Sequence, residues 1–166
     1  MNTIDETLRA NQQYAANFKL GSLPIPPARR LAVLACMDAR LTVEEFLGLN
    51  TGDAHIIRNA GGIVTEDALR SLLISHYLLG TNEFMIVNHT ECGMQSFKDE
   101  ELREQLEQKT GTAVVGPDHF YAFTDLCQNV RRQIQRIRAH PWIPKEITVR
   151  GFVFDVKTGR LAEVKA

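Results

Sequence analysis

Leu31-Ala32-Val33-Leu34-Ala35-Cys36-Met37-Asp38-Ala39-Arg40 begins as an unbroken apolar run and ends in polar, chemically reactive side chains. A short run without polar alternation predicts a strand buried on both faces. Further along the chain the pattern recurs. His55-Ile56-Ile57-Arg58 is a second short strand candidate, and Phe84-Met85-Ile86-Val87 is a third, followed directly by Asn88-His89-Thr90-Glu91-Cys92-Gly93. Helical signals lie between them. Thr42-Val43-Glu44-Glu45 offers a capping box for a short helix ending near Gly48. Thr65 suits an N-cap, Glu66 and Asp67 a first turn, and Leu69, Leu72, Leu73 and His76 recur at helical spacing until Gly80. Strands alternating with helices predict the α/β class, with a central, mainly parallel β-sheet flanked by helices.

Toward the N-terminus, Thr3 with Glu6 fits a capping box, and Leu8, Ala15 and Phe18 mark a modest stripe running to about Leu20. Gly21-Ser22-Leu23-Pro24-Ile25-Pro26-Pro27 stops that helix and reads as an extended connector. Residues 1–30 are thus an N-terminal helical arm with its Pro-rich connector, and 1–166 is expected to be a single domain. Toward the C-terminus, Lys98 to Lys109 predicts a solvated helix with Leu102 and Leu106 on one side. Phe123, Leu126, Cys127, Val130, Ile134 and Ile137 mark a cleaner amphipathic helix, with Cys127 read as core and Arg131, Arg132, Arg136 and Arg138 as its charged outer face. Residues 147–154 and 161–164 flank Lys157-Thr158-Gly159-Arg160 as a terminal hairpin.

Composition narrows the function classes. Apolar residues make up 44% and charged residues 23%, with a formal net charge of -1. That balance argues against a nucleic-acid partner. No apolar run reaches the roughly 18 residues of a membrane span, and acids stand where a secretory signal carries lysines, so a cytoplasmic protein is expected. Cys36, Cys92 and Cys127 are too few for a disulfide scaffold and read as thiols.

In an open parallel sheet, functional groups collect beyond the carboxyl ends of the strands. If the first and third strands are parallel neighbours, Cys36, His89 and Cys92 meet at one edge. Two thiols and an imidazole suit zinc, and three protein ligands leave a tetrahedral position open for catalysis. By spacing alone, buried core cysteines are an equal reading. Asp38 and Arg40 are spaced to form an ion pair beside that site. Asn59-Ala60-Gly61-Gly62 offers either a polar cradle for a small anion or simply tight packing.

Cys36-Met37-Asp38-Ala39-Arg40, Arg58-Asn59-Ala60-Gly61-Gly62 and His89-Thr90-Glu91-Cys92-Gly93 resemble, in order and spacing, the signature blocks of the β-class carbonic anhydrases, most closely the small microbial branch that includes carbonyl sulfide hydrolases. The family's usual Ser is Ala39 here, and its usual Asp in the last block is Glu91. The resemblance implies one Zn2+ per subunit held by Cys36, His89 and Cys92, with Asp38 and Arg40 as catalytic dyad; Gly61 and Gly62 are assigned to substrate binding. It implies reversible hydration of carbon dioxide to bicarbonate, with hydrolysis of carbonyl sulfide or carbon disulfide as the alternative. It also implies a homodimer or homotetramer, with the arm packed on a neighbour.

Overall fold

The apolar run at Leu31 opens β1 (Leu31–Cys36), the centre from which the sheet is built; the computed structural model describes residues 2–113 and 116–165. β1 pairs in parallel with β2 (Ala54–Asn59) on one side and β3 (Glu83–His89) on the other. β3 pairs in parallel with β4 (Thr148–Phe154), which turns back into the antiparallel β5 (Leu161–Val164). The sheet order is therefore β2-β1-β3-β4-β5. The parallel strands, the helical connections and the terminal hairpin agree with the sequence reading.

Side-chain alternation along the strands feeds two cores. Ala32, Leu34, Phe84, Ile86 and Val149 face one layer, packed on α3 (Glu66–Tyr77) and α5 (Leu126–Arg138). Val33, Ala35 and Val87 face the other, with Val43 from α2 (Val43–Leu47) and the loops carrying Met94 and Phe123. Helix α5 lies so close to β4 that a Cβ on Gly151 would run into Val130 Cγ1 and come within 2.8 Å of Ile134 Cδ1. Two of its arginines tie it to the sheet region, Arg138 donating to Val149 O on β4 and Arg131 to Lys165 O just after β5. Helix α4 (Asp99–Thr110) buries no residue, as its charged sequence predicts.

Several local expectations are corrected. Helix α1 (Thr3–Ala16) is capped by Asn2 and Asp5 in a reciprocal box, not by Thr3 and Glu6. Thr42 precedes α2 but makes no capping bond, because its backbone (ψ 81) does not aim the hydroxyl at the helix N–H groups. Phe123 lies before α5, whose N-cap is Asp125. By contrast, Thr65 caps α3 by accepting from Ala68 N–H, and Gly80 stops the chain's helical course with φ +76 and an N–H to His76 O. No helix among the described residues is long and apolar enough to cross a membrane.

Candidate metal centre

The parallel register places the ends of β1 and β3 side by side, Ala35 against Val87. Cys36 closes β1 and His89 closes β3, and the turn after β3 brings Cys92 back to them. The ligand atoms of Cys36, His89 and Cys92 all lie within 4.8 Å of one another, and the three residues are 4%, 0% and 6% exposed. His89 Nδ1 faces the Thr90 carbonyl at 2.8 Å, an acceptor only, so that nitrogen carries the proton. Nε2 then presents a lone pair, is buried, and has no hydrogen-bond partner. A buried polar atom left unbonded is costly, and one set beside two thiols has the character of a metal ligand.

Electrostatics at the cluster point the same way. The hydrogen bond from Cys92 lowers the Cys36 thiol well below its ordinary range, and the contacts with His89 and the Asp38 and Gly61 backbone add to it against the cost of burial. That same bond, together with burial, raises Cys92. Gly61 N–H donates to Cys36 Sγ at 3.3 Å.

Asp38 and Arg40 form the pair expected from their spacing. Arg40 Nε donates to Asp38 Oδ1 at 2.9 Å and Nη2 to Oδ2 at 2.8 Å, and the Arg40 backbone N–H reaches Oδ1 at 3.0 Å. Those bonds hold the Asp38 carboxyl far below the usual carboxylate range. Asp38 Oδ2 sits 3.7 Å from His89 Nε2, beside the donor cluster. Arg40 also donates to Glu91 O, and Glu91 pairs with Lys157. Arg58 fixes the loop from below, donating to the Cys36 and Asp38 carbonyls.

A family model described as carbonic anhydrase matches residues 31–161. "Beta-carbonic anhydrase 1" of Mycobacterium tuberculosis is 45% identical over 164 residues, covering 99% of each chain. The chain belongs to the β-carbonic anhydrase family. Among structures of the family, the carbonic anhydrase of Streptococcus mutans superposes with a TM-score of 0.94 at 44% identity, covering 99% of both chains. A relative named carbon disulfide hydrolase, from Acidithiobacillus thiooxidans, is 35% identical over 176 residues, covering 95% of this chain and 87% of its own. The family's members thus include more than one named activity.

Within this family framework, two glycines at the site are explained by space. A Cβ on Gly62 (φ +60) would stand 2.8 Å from Asn88 Nδ2 and 3.1 Å from the backbone of Ala35 and Cys36; one on Gly61 (φ +84) would stand 3.0 Å from Met94 Cγ. The remaining thiol departs from expectation: Cys127 is exposed, because it stands at the border of the face that α5 buries. Sequence reasoning quoted Arg58 and Asn88 within the motif stretches without giving them a role and passed over Asn129 and Gln133; all four are polar groups bonded behind the site. For Asn129 and Gln133 the signal lay in one apolar neighbour each, Val130 and Ile134. His55 and His76 are satisfied away from the site, bonded to Ser75 and to the Thr81 carbonyl.

Proposed function

We propose that this protein catalyses the reversible hydration of carbon dioxide to bicarbonate at a single zinc ion per subunit, held by Cys36 Sγ, His89 Nε2 and Cys92 Sγ. The observation that carries the reading is the buried, unbonded His89 Nε2 set against two thiols and beside an ionised Asp38. Zinc in a site with three protein ligands supplies Lewis acidity that brings the ionisation of water toward neutral pH.

The protein's own residues supply orientation. Asp38, kept ionised by Arg40, is an acceptor only; it takes the hydrogen bond of the attacking oxygen's proton and so turns a lone pair toward the substrate carbon. Arg40 holds both carboxylate oxygens, which stops Asp38 from rotating away. His89 keeps its proton on Nδ1 through the Thr90 carbonyl. Gly61 and Gly62 are assigned to the substrate side of the site; what supports their place there is the close seating of their loop on Cys36, where a Cβ would run against Met94, Asn88 and the Cys36 backbone.

A second reading, hydrolysis of carbon disulfide or carbonyl sulfide, uses the same residues and is favoured by the 35% identical carbon disulfide hydrolase. Carbon dioxide is preferred because the likeness to Beta-carbonic anhydrase 1 is stronger and spans both chains end to end. The test is kcat/KM of the zinc-loaded protein for carbon dioxide, carbonyl sulfide and carbon disulfide, with Cys92→Ser as blank. Dominant carbon dioxide hydration that vanishes in the blank is expected; efficient turnover of a sulfur substrate with poor hydration replaces the first reading by the second.

The protein is further proposed to work in the cytoplasm as a homodimer or homotetramer. Its three unpaired thiols suit a reducing compartment. Helix α1 buries no residue within its own chain and leaves Ile4, Leu8 and Tyr14 exposed, with Phe18 exposed just beyond its end, apolar side chains that a second copy covers. Light scattering that gives a monomer mass at micromolar concentration removes this assembly.

A further inference from the structure

Behind the donor cluster lies a buried polar chain to which the mechanism assigns no task. Val64 N–H donates to Gln133 Oε1 at 2.8 Å, Gln133 Nε2 to Asn129 Oδ1 at 2.9 Å, Asn129 Nδ2 to Asn88 Oδ1 at 2.7 Å, and Asn88 Nδ2 to Gly62 O at 3.3 Å. Asn88, Asn129 and Gln133 are 1%, 2% and 3% exposed. The chain starts at a main-chain N–H and ends at a main-chain carbonyl, so the orientation of each amide is dictated by its neighbour.

Buried amides cost stability unless every one is bonded. Packing alone does not require them: Val130, Ile134 and Ile137 on the same helix already fill the core against the sheet. What the amides add is a fixed direction between α5 and one loop. Both ends grip the segment after β2, at the Gly62 carbonyl and the Val64 N–H. Asn59 stiffens the same segment, donating to Ile63 O and accepting from Ile63 N–H. The segment presents the Gly61 N–H to Cys36 Sγ, and its next residue, Gly62, lies against the Cys36 backbone.

We propose that Asn88, Asn129 and Gln133 are positioning residues that fix the Gly61 N–H on the Cys36 sulfur, so that helix α5 sets the hydrogen bonding of a metal-binding thiolate. This deepens the function proposed above and rests on its reading of Cys36 as a ligand. Partners behind metal ligands typically change metal affinity about 10–100-fold when removed.

The test compares the parent with Asn129→Leu and Gln133→Met, and with Gln128→Met on the exposed side of α5 as control. Amide hydrogen exchange is followed by NMR on the zinc-loaded proteins, zinc affinity by competition with a chromophoric chelator, and the sulfur-to-metal charge-transfer band after cobalt substitution. In both core variants the Gly61 N–H is expected to exchange faster, zinc affinity to fall about 10–100-fold, and the cobalt band to shift, with the control unchanged. Faster exchange at Val64 alone, with Gly61, affinity and the band as in the parent, overturns the proposal. Should neither variant fold, the parent decides: Gly61 and Val64 opening at a common rate supports the linkage, and independent rates refute it. A parent that binds neither zinc nor cobalt defeats the reading of Cys36 as ligand, while the exchange of Gly61 still decides whether the amide chain holds the loop.

Discussion

Gly151→Ala tests how tightly α5 is seated on the sheet. Gly151 is on β4, and the added methyl would overlap Val130 Cγ1 and stand 2.8 Å and 3.3 Å from Ile134 Cδ1 and Cγ1. Both neighbours are at most 1% exposed. Neither yields easily, since β-branched side chains in a helix have essentially one χ1 rotamer. The helix must therefore move off the strand. Overpacking of this kind costs about 1–3 kcal/mol, and two stiff, buried neighbours place this site at about 2–3 kcal/mol. For a domain of this size each kcal/mol lowers Tm by about 2–4 °C, so a fall of about 4–12 °C is expected. Gly80→Ala is the control: nothing lies within 4 Å of its Cβ, but φ is +76, so backbone strain alone should cost about 1 kcal/mol. Both variants are melted by circular dichroism with chelator present, because a bound metal adds its own stabilisation. A Gly151→Ala melt no lower than that of Gly80→Ala would refute the close packing of α5 on β4.

Asp38→Ala should lower kcat/KM for carbon dioxide about 10–100-fold while metal content, measured by plasma emission, stays at the parent level; full turnover removes Asp38 from the mechanism. Asp99 accepts from the N–H groups of Phe120, Tyr121 and Ala122, bonds that outweigh the cost of burial and lower its carboxyl below the ordinary value. Because the folded value is the depressed one, its contribution is full above the unfolded carboxylate range and is lost as pH falls through the folded value. Asp99→Asn should therefore be less stable to urea than the parent at pH 7, by about 1–2 kcal/mol, with the gap closing in strong acid; a pH-independent gap contradicts this. Thiol titration with a chromogenic disulfide should modify Cys127 at once and Cys36 and Cys92 only after chelation, since only Cys127 is exposed; three equally fast thiols in the zinc-loaded protein would contradict the buried donor set.

Much of this architecture was legible because parallel strands announce themselves twice. Leu31–Ala35 and Phe84–Val87 are apolar throughout, and reactive side chains follow them immediately, so strand identity and site location came from one pattern. Helix caps were less legible for a simple reason: Asn2 with Asp5 and Thr3 with Glu6 satisfy the same spacing one residue apart, and only the backbone decides between them. Cys127 was misplaced because residue type outweighed angle; the buried face of α5 runs through Asn129, Val130, Gln133, Ile134 and Ile137. Asn129 and Gln133 were missed by the same logic reversed. Amides on a helix read as solvent-facing, and nothing local reveals that Asn88 and Val64, from distant segments, wait to bond them.

The uneven division of the donors along the chain has a meaning in time. His89 and Cys92 are three residues apart and can find each other in an unordered chain, whereas Cys36 arrives only when β1 docks in parallel on β3. Such non-local pairing is among the slower steps of folding. The complete set of sulfur and nitrogen donors is therefore a stopwatch for that event: refolding with cobalt present should develop the colour of two thiolates only as the central strands come together.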